Sequence, residues 1–153
     1  MANPKMTGIS SITGKTVTIR HATETDMVFI AETLKKNRMD EDDLSHTQFV
    51  VAEENDDIIG FGRLRKTGDA YDIGCVFVVE SGRKRGIGAS IIRHLIEYAP
   101  VNRVYTVTDA KAYLRKLGFT EEKQTPKELR GALDVACNLK GRTASVLMTY
   151  EKR

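Results

Sequence analysis

VFVVESGRKRGIGA, residues 76–89, passes from a short apolar run through a polar break into Arg83-x-x-Gly86-x-Gly88 at the predicted start of a helix. Gly86 and Gly88 carry no side chain, so a ligand can come close to the main chain there. The first turn of the helix offers N–H groups without intrahelical partners, at the positive end of the macrodipole. Arg83, Lys84 and Arg85 add positive charge beside them. This combination suits a pyrophosphate, so a nucleotide-bearing ligand is the first reading. A tight strand-to-helix turn with no ligand is the alternative.

Working outward, the period of the apolar residues changes across this stretch. Downstream, Ile87, Ile91, Ile92, Leu95 and Ile96 recur at helical spacing and predict a helix over Gly86–Tyr98. Upstream, alternation predicts strands at Thr16–His21, Gln48–Glu53, Ile58–Arg65 and Tyr71–Val79. The middle two form a hairpin about Asn55-Asp56-Asp57, and Gly68-Asp69 marks the next turn. Thr23 is a predicted cap for a helix over Glu24–Lys36, and Asp40–Leu44 reads as one further helical turn. Beyond the central helix, Arg103–Val107 reads as a strand and Ala110–Leu117 as a helix ended by Gly118. Thr125-Pro126-Lys127-Glu128 combines an N-cap, a proline at the first helical position and a glutamate three residues after the cap. It predicts a helix from Pro126 to Leu139, and Ala144–Tyr150 closes the chain as a strand. The sum is an α+β fold, a mixed and mainly antiparallel sheet flanked by helices. Residues 1–14 read as a flexible leader and 15–153 as a single domain.

Composition narrows the class. The chain has 153 residues, 41% hydrophobic and 29% charged, which suits one soluble domain with its own core. A net charge of +3, spread along the chain without a recognition motif, gives no footprint for nucleic acid. No apolar run approaches the about 18 residues of a membrane span. The polar N-terminus lacks the apolar centre of a signal peptide, so a cytoplasmic setting is expected. The two cysteines, Cys75 and Cys137, fall within apolar patterns and read as free thiols.

Other chemistries fail on spacing. Gly14-Lys15-Thr16 lacks the earlier glycine of a phosphate loop, because Ile9 stands there, and a strand follows it. His21, His46 and His94 lack metal-ligand spacing, Asp40-Glu41-Asp42-Asp43 lacks the alternation and glycine of a calcium loop, and no metal is expected. Ser81 has no nucleophile-elbow context. A dinucleotide fingerprint needs a third glycine where Ile91 stands.

One strand beyond the glycine motif lies Tyr113-Leu114-Arg115-Lys116-Leu117-Gly118-Phe119, preceded by Ala110. Together the two motifs resemble the GNAT superfamily of acetyl-CoA-dependent N-acetyltransferases, which pair Arg/Gln-x-x-Gly-x-Gly/Ala with a later Ala-x-x-Phe-Tyr-x-Lys-x-Gly-Phe. The resemblance runs in element order from about Val17 to Tyr150. It implies that the strands at Tyr71–Val79 and Arg103–Val107 are parallel and splay apart. Backbone groups of Val76, Phe77 and Val78 would then pair with the pantetheine arm of coenzyme A as an added strand would. The pyrophosphate would sit on the N–H groups of Arg83, Lys84, Arg85, Gly86, Ile87, Gly88 and Ala89.

The acetyl acceptor in such a family is a neutral amine, so a base must take its proton. Asp72 stands where relatives often carry a carboxylate, and being short it would act through water; a surface aspartate at a strand edge is the other reading. The family tyrosine that protonates the leaving thiolate is replaced by Leu114. Tyr113 stands one position earlier, about 100° around the helix. This departure resembles the amino-acid acetyltransferase branch of N-acetylglutamate synthase type. There Arg142, ahead of the last strand, would grip an acceptor carboxylate, or would be a solvated loop arginine. The implied co-substrate is acetyl-CoA and the implied partner a small-molecule amine. By analogy a homodimer is open, and a catalytically silent acyl-CoA-binding module on the same fold is the competing reading.

Overall fold

The computed structural model describes residues 5–10, 16–131 and 145–152. Its eight strands form one sheet in the order β1-β2-β3-β4-β5-β6-β8-β7. The strands are β1 (Lys5–Ser10), β2 (Thr16–His21), β3 (Phe49–Glu54), β4 (Asp57–Thr67), β5 (Ala70–Val78), β6 (Arg103–Thr108), β7 (Thr120–Glu121) and β8 (Val146–Glu151). Neighbours are antiparallel except β5 and β6, which are parallel. Among the described residues, three complete α-helices pack on it: α1 (Met27–Lys36), α2 (Ile87–Tyr98) and α3 (Lys111–Lys116).

The sheet is covered on both faces, because its central strands carry apolar side chains on both sides of the pleat. On one face Val17, Ile19, Val50, Ala52, Leu64 and Ile73 pack with Ile87, Ile91, Ile92, Leu95 and Ile96 of α2. Each of these helix side chains contributes about 1.5–3 kcal/mol relative to exposure. On the other face Phe49, Val51 and Phe61 pack with Ile30 and Leu34 of α1. The approach of α2 requires glycine beneath it. A Cβ at Gly62 would stand 2.6 Å from Ile91 Cγ2 and 2.9 Å from Leu95 Cδ1.

Element types follow the sequence reading, and the differences have local causes. Residues 5–10, read as part of a leader, pair with β2 as the edge strand β1. Thr23 does not cap α1: its N–H and hydroxyl donate to Asp26 Oδ2 at 2.7 and 3.0 Å, and the helix starts later, at Met27. Residues 40–44 form no helix. Asp43 takes φ +52°, and a 3₁₀ turn follows only at His46–Gln48, where Ser45 and Gln48 make a reciprocal cap. Pro126 does not open an α-helix directly; a 3₁₀ turn spans Lys127–Leu129 before residues 130 and 131 become helical. The remainder of the predicted 126–139 helix lies outside the described residues, as does Cys137. The short β7, which follows the Gly118 turn and pairs with β8, has no periodicity to announce it.

Candidate active site

The centre of the sheet is forked. β5 and β6 pair only at Asp72–Tyr105 and Ile73–Thr106. Beyond that point β6 continues against β8, while residues 74–78 of β5 keep β4 as their partner on one side alone. Two features end the parallel ladder. Thr106 Oγ1 donates to the Ile73 carbonyl at 2.8 Å, which seals the vertex. Two residues after Ile73, Cys75 takes φ +51°, and Cys75 and Val76 together oppose the single residue Gly62. Such a bulge bends its strand and leaves an extra residue unpaired. The exposed edge of Val76, Phe77 and Val78 is a template for an extended polar chain.

At the mouth of the fork, β5 runs through a 3₁₀ turn at Glu80–Gly82 into the loop that opens α2. Lys84 and Gly86 take φ +62° and +77°, so the chain turns sharply twice before the helix begins. The helical ladder begins with Ser90 N–H to Gly86 C=O, 3.0 Å. The N–H groups of Ile87, Gly88 and Ala89 therefore lie ahead of it. A Cβ at Gly86 would meet nothing within 4 Å, so that glycine serves its φ and leaves space above the loop. The three neighbouring cations are not equivalent. Arg83 Nε donates back to the Val78 carbonyl at 3.2 Å, Arg85 is paired with Glu54, and Lys84 is exposed. Tyr113 of α3 completes the mouth. It is 45% exposed, and its hydroxyl lies 3.4 Å from where a Gly88 Cβ would stand, beside Val78. Burial pushes its phenol pKa up, against the nearby Arg93. Leu114, by contrast, is 5% exposed and belongs to the core.

A cluster of charges lies on the α1 face of β4 and β5, beside the vertex. Asp72 is 7% exposed, so it is not a surface aspartate. Its cross-strand partner is Arg65, with Nε 3.8 Å from Asp72 Oδ1. Burial raises the Asp72 pKa above the ordinary carboxylate range, and Arg65 and Arg63 oppose the rise. Arg63 is 2% exposed. Its Nε donates to Gln48 Oε1 at 2.9 Å and its Nη2 to the carbonyls of Asp42 and Asp43 at 2.6 and 3.2 Å. It thus pins the segment between α1 and β3 over the cluster. Cys75 Sγ donates to the Asp40 carbonyl at 3.6 Å, and burial pushes its thiol pKa up.

The GNAT acetyltransferase domain family model matches residues 45–121, half of the chain, from the 3₁₀ turn before β3 through β7. The chain belongs to the GNAT acetyltransferase family. Solved structures repeat its fold. N-acetylglutamate synthase of Neisseria gonorrhoeae, complexed with coenzyme A and N-acetyl-glutamate, is similar with a TM-score of 0.73 at 20% identity, covering 90% of this chain and 35% of that one. The GNAT domain described here thus spans about a third of that synthase. Rv2747 of Mycobacterium tuberculosis, in complex with CoA, has a TM-score of 0.72 at 21% identity, covering 88% of this chain and 99% of that one. Escherichia coli ElaA follows with a TM-score of 0.61 at 17% identity, covering 90% and 99%. A search of the curated proteins finds no match.

Within the GNAT domain, the residues singled out from sequence fall into two groups. Val76, Phe77 and Val78 line the fork, and Arg83 to Ala89 form the loop and first turn at its mouth. Asp72 lies at the vertex, on the side away from α2. Arg142 lies outside the described residues. Sequence reasoning gave no site role to Arg63, Arg65 and Asp40, and it weighed Tyr113 only as a tyrosine one position from the family's. The alternation in Gly60-Phe61-Gly62-Arg63-Leu64-Arg65 places both arginines on one face but cannot say that a loop will bury them. The placement of Tyr113 depends on how α3 packs on α2. Among the described residues no cluster of three or more metal-ligating side chains occurs, and no helix is long and apolar enough to cross a membrane.

Proposed function

We propose that this domain moves an acetyl group from acetyl-CoA to the primary amine of a small molecule, with an amino acid of glutamate type as the first candidate acceptor. The carrying observation is the fork: β5 leaves β6 after Ile73, with the glycine-opened N-terminus of α2 at the mouth of the gap. In this reading residues 76–78 bind the pantetheine arm through their backbone, and the Arg83–Ala89 loop holds the pyrophosphate. Bare N–H groups favour the anion, and Lys84 supplies a cation. A backbone N–H beside the bulge polarises the thioester carbonyl.

Asp72 takes the proton that the amine nitrogen loses as it attacks the carbonyl carbon. It does so through a water, because its short, buried side chain stops below the strand surface. The C–S bond breaks, and the thiolate leaves and takes its proton from solvent, since Leu114 offers none. Arg142 is carried as a carboxylate grip for the acceptor. A homodimer is the assembly that the family resemblance suggests. The test is to incubate the protein with acetyl-CoA and a panel of amines while following free thiol. Amine-dependent thiol release is expected. Coenzyme A binding without release for any amine would favour the silent acyl-CoA-binding module instead.

A further inference from the structure

The charged cluster beneath the bulge holds three buried polar atoms without a hydrogen-bond partner among the described residues: Arg63 Nη1, Arg65 Nε and Asp72 Oδ1. Buried polar atoms are nearly always paired, so these need a reason. Two of them face each other. Arg65 and Asp72 are cross-strand neighbours, and a guanidinium beside a carboxylate ordinarily closes into a two-pronged pair. Here it does not; Nε stands 3.8 Å from Oδ1, beyond hydrogen-bond range. The reason is on the other side of the guanidinium. Asp40, in the segment between α1 and β3, receives a hydrogen bond from Arg65 Nη1 at 2.7 Å. One arginine is shared unequally between two carboxylates, and the loop carboxylate holds it.

We propose that Asp40 and Arg65 are a positioning pair for Asp72, in which Asp40 draws the guanidinium aside and leaves Oδ1 of Asp72 free to accept a proton. The proposal rests on the reading of Asp72 as the base. Among the described residues, the charged groups acting on Asp72 are Arg65 and Arg63 from β4 and Asp40 from the loop, with Tyr105 of β6 as its Cα partner and the Cys75 thiol near the same three charges. Arg63 is fixed in place by Nε and Nη2, which are committed to Gln48 and to the carbonyls of Asp42 and Asp43, and only its Nη1 is without a partner. While Asp40 holds Arg65, Oδ1 of Asp72 keeps an open lone pair.

Removing the two partners has opposite effects, which a structural role would not produce. Asp40→Ala frees Arg65 to pair with Asp72. The acidic limb of the pH–rate profile for kcat/KM moves to lower pH, on the order of one unit, a tenfold change in proton affinity, and the plateau rate falls. Arg65→Gln removes the cation and moves the limb to higher pH. Arg65→Lys, which keeps the charge without the fork, returns part of that shift and stands in should Arg65→Gln fold poorly. The pH titration of the ¹³C-labelled Asp72 carboxyl, with Asp72→Asn to assign the signal, reports the same shifts without any turnover. Opposite shifts support the proposal; shifts of one sign, or none, overturn it. An Asp72→Asn enzyme that keeps its acidic limb overturns the base reading as well.

Discussion

Gly88→Ala separates a glycine that serves the fold from one that serves a ligand. Gly88 is the second residue of α2, and its φ is not positive. An added Cβ would meet Tyr113 Oη at 3.4 Å and Val78 Cγ2 at 3.7 Å, both ordinary contacts. The free protein therefore has no reason to reject alanine. Helical alanine is favoured over glycine by about 0.5–1 kcal/mol, so the unliganded melting temperature rises by about 1–4 °C at 2–4 °C per kcal/mol for a chain of this size. Side chains on a helix lean toward its N-terminus. The new methyl therefore points at the space over the loop where the pyrophosphate would sit. With coenzyme A at 100 times its wild-type Kd, linkage stabilises the wild type by about 2.7 kcal/mol. Tenfold weaker binding would leave the variant about 1.4 kcal/mol of this. The assay is a thermal melt of both proteins with and without coenzyme A, with calorimetry for Kd. The signature is a variant that melts higher alone and gains less from the ligand. A variant that binds coenzyme A as tightly as the wild type refutes the cradle at Gly88.

Two further outcomes follow from the same geometry. Asp72→Asn lowers turnover and removes the acidic limb of the pH–rate profile, which in the wild type lies above the ordinary carboxylate range because burial raises the Asp72 pKa and the base works only when unprotonated; coenzyme A affinity, measured by calorimetry, stays the same. Gly62→Val forces α2 off the sheet at Ile91 and Leu95, costs about 1–3 kcal/mol by overpacking, and lowers the melting temperature by about 2–12 °C.

The sheet was legible because its strands alternate and are rich in β-branched residues, and α2 because Ile87, Ile91, Ile92, Leu95 and Ile96 repeat at helical spacing. The loop that opens α2 was legible because Gly86 and Gly88 stand out as positions without side chains. The parallel pairing of β5 and β6 came from the family resemblance rather than from period, and the short β7 escaped because two residues have no period. The charged cluster around Asp72 was half visible. Asp72 could be placed on β5, but whether it was buried depended on a loop that crosses over it. That loop is held by backbone carbonyls of Asp42 and Asp43 on Arg63, and a carbonyl acceptor leaves no mark in sequence. The charges at residues 40–43 suggested a helix start; in the structure Asp43 turns to positive φ and Asp40 reaches Arg65.

The central claim is that the main chain from residue 76 to residue 89 embraces a phosphorylated thioester carrier. Its most direct test is a calorimetric titration of the purified chain with coenzyme A, repeated with acetyl-CoA as competitor. The account predicts saturable one-to-one binding to a single site shared by both. No saturable binding, together with an unmoved melting temperature at high coenzyme A, contradicts it.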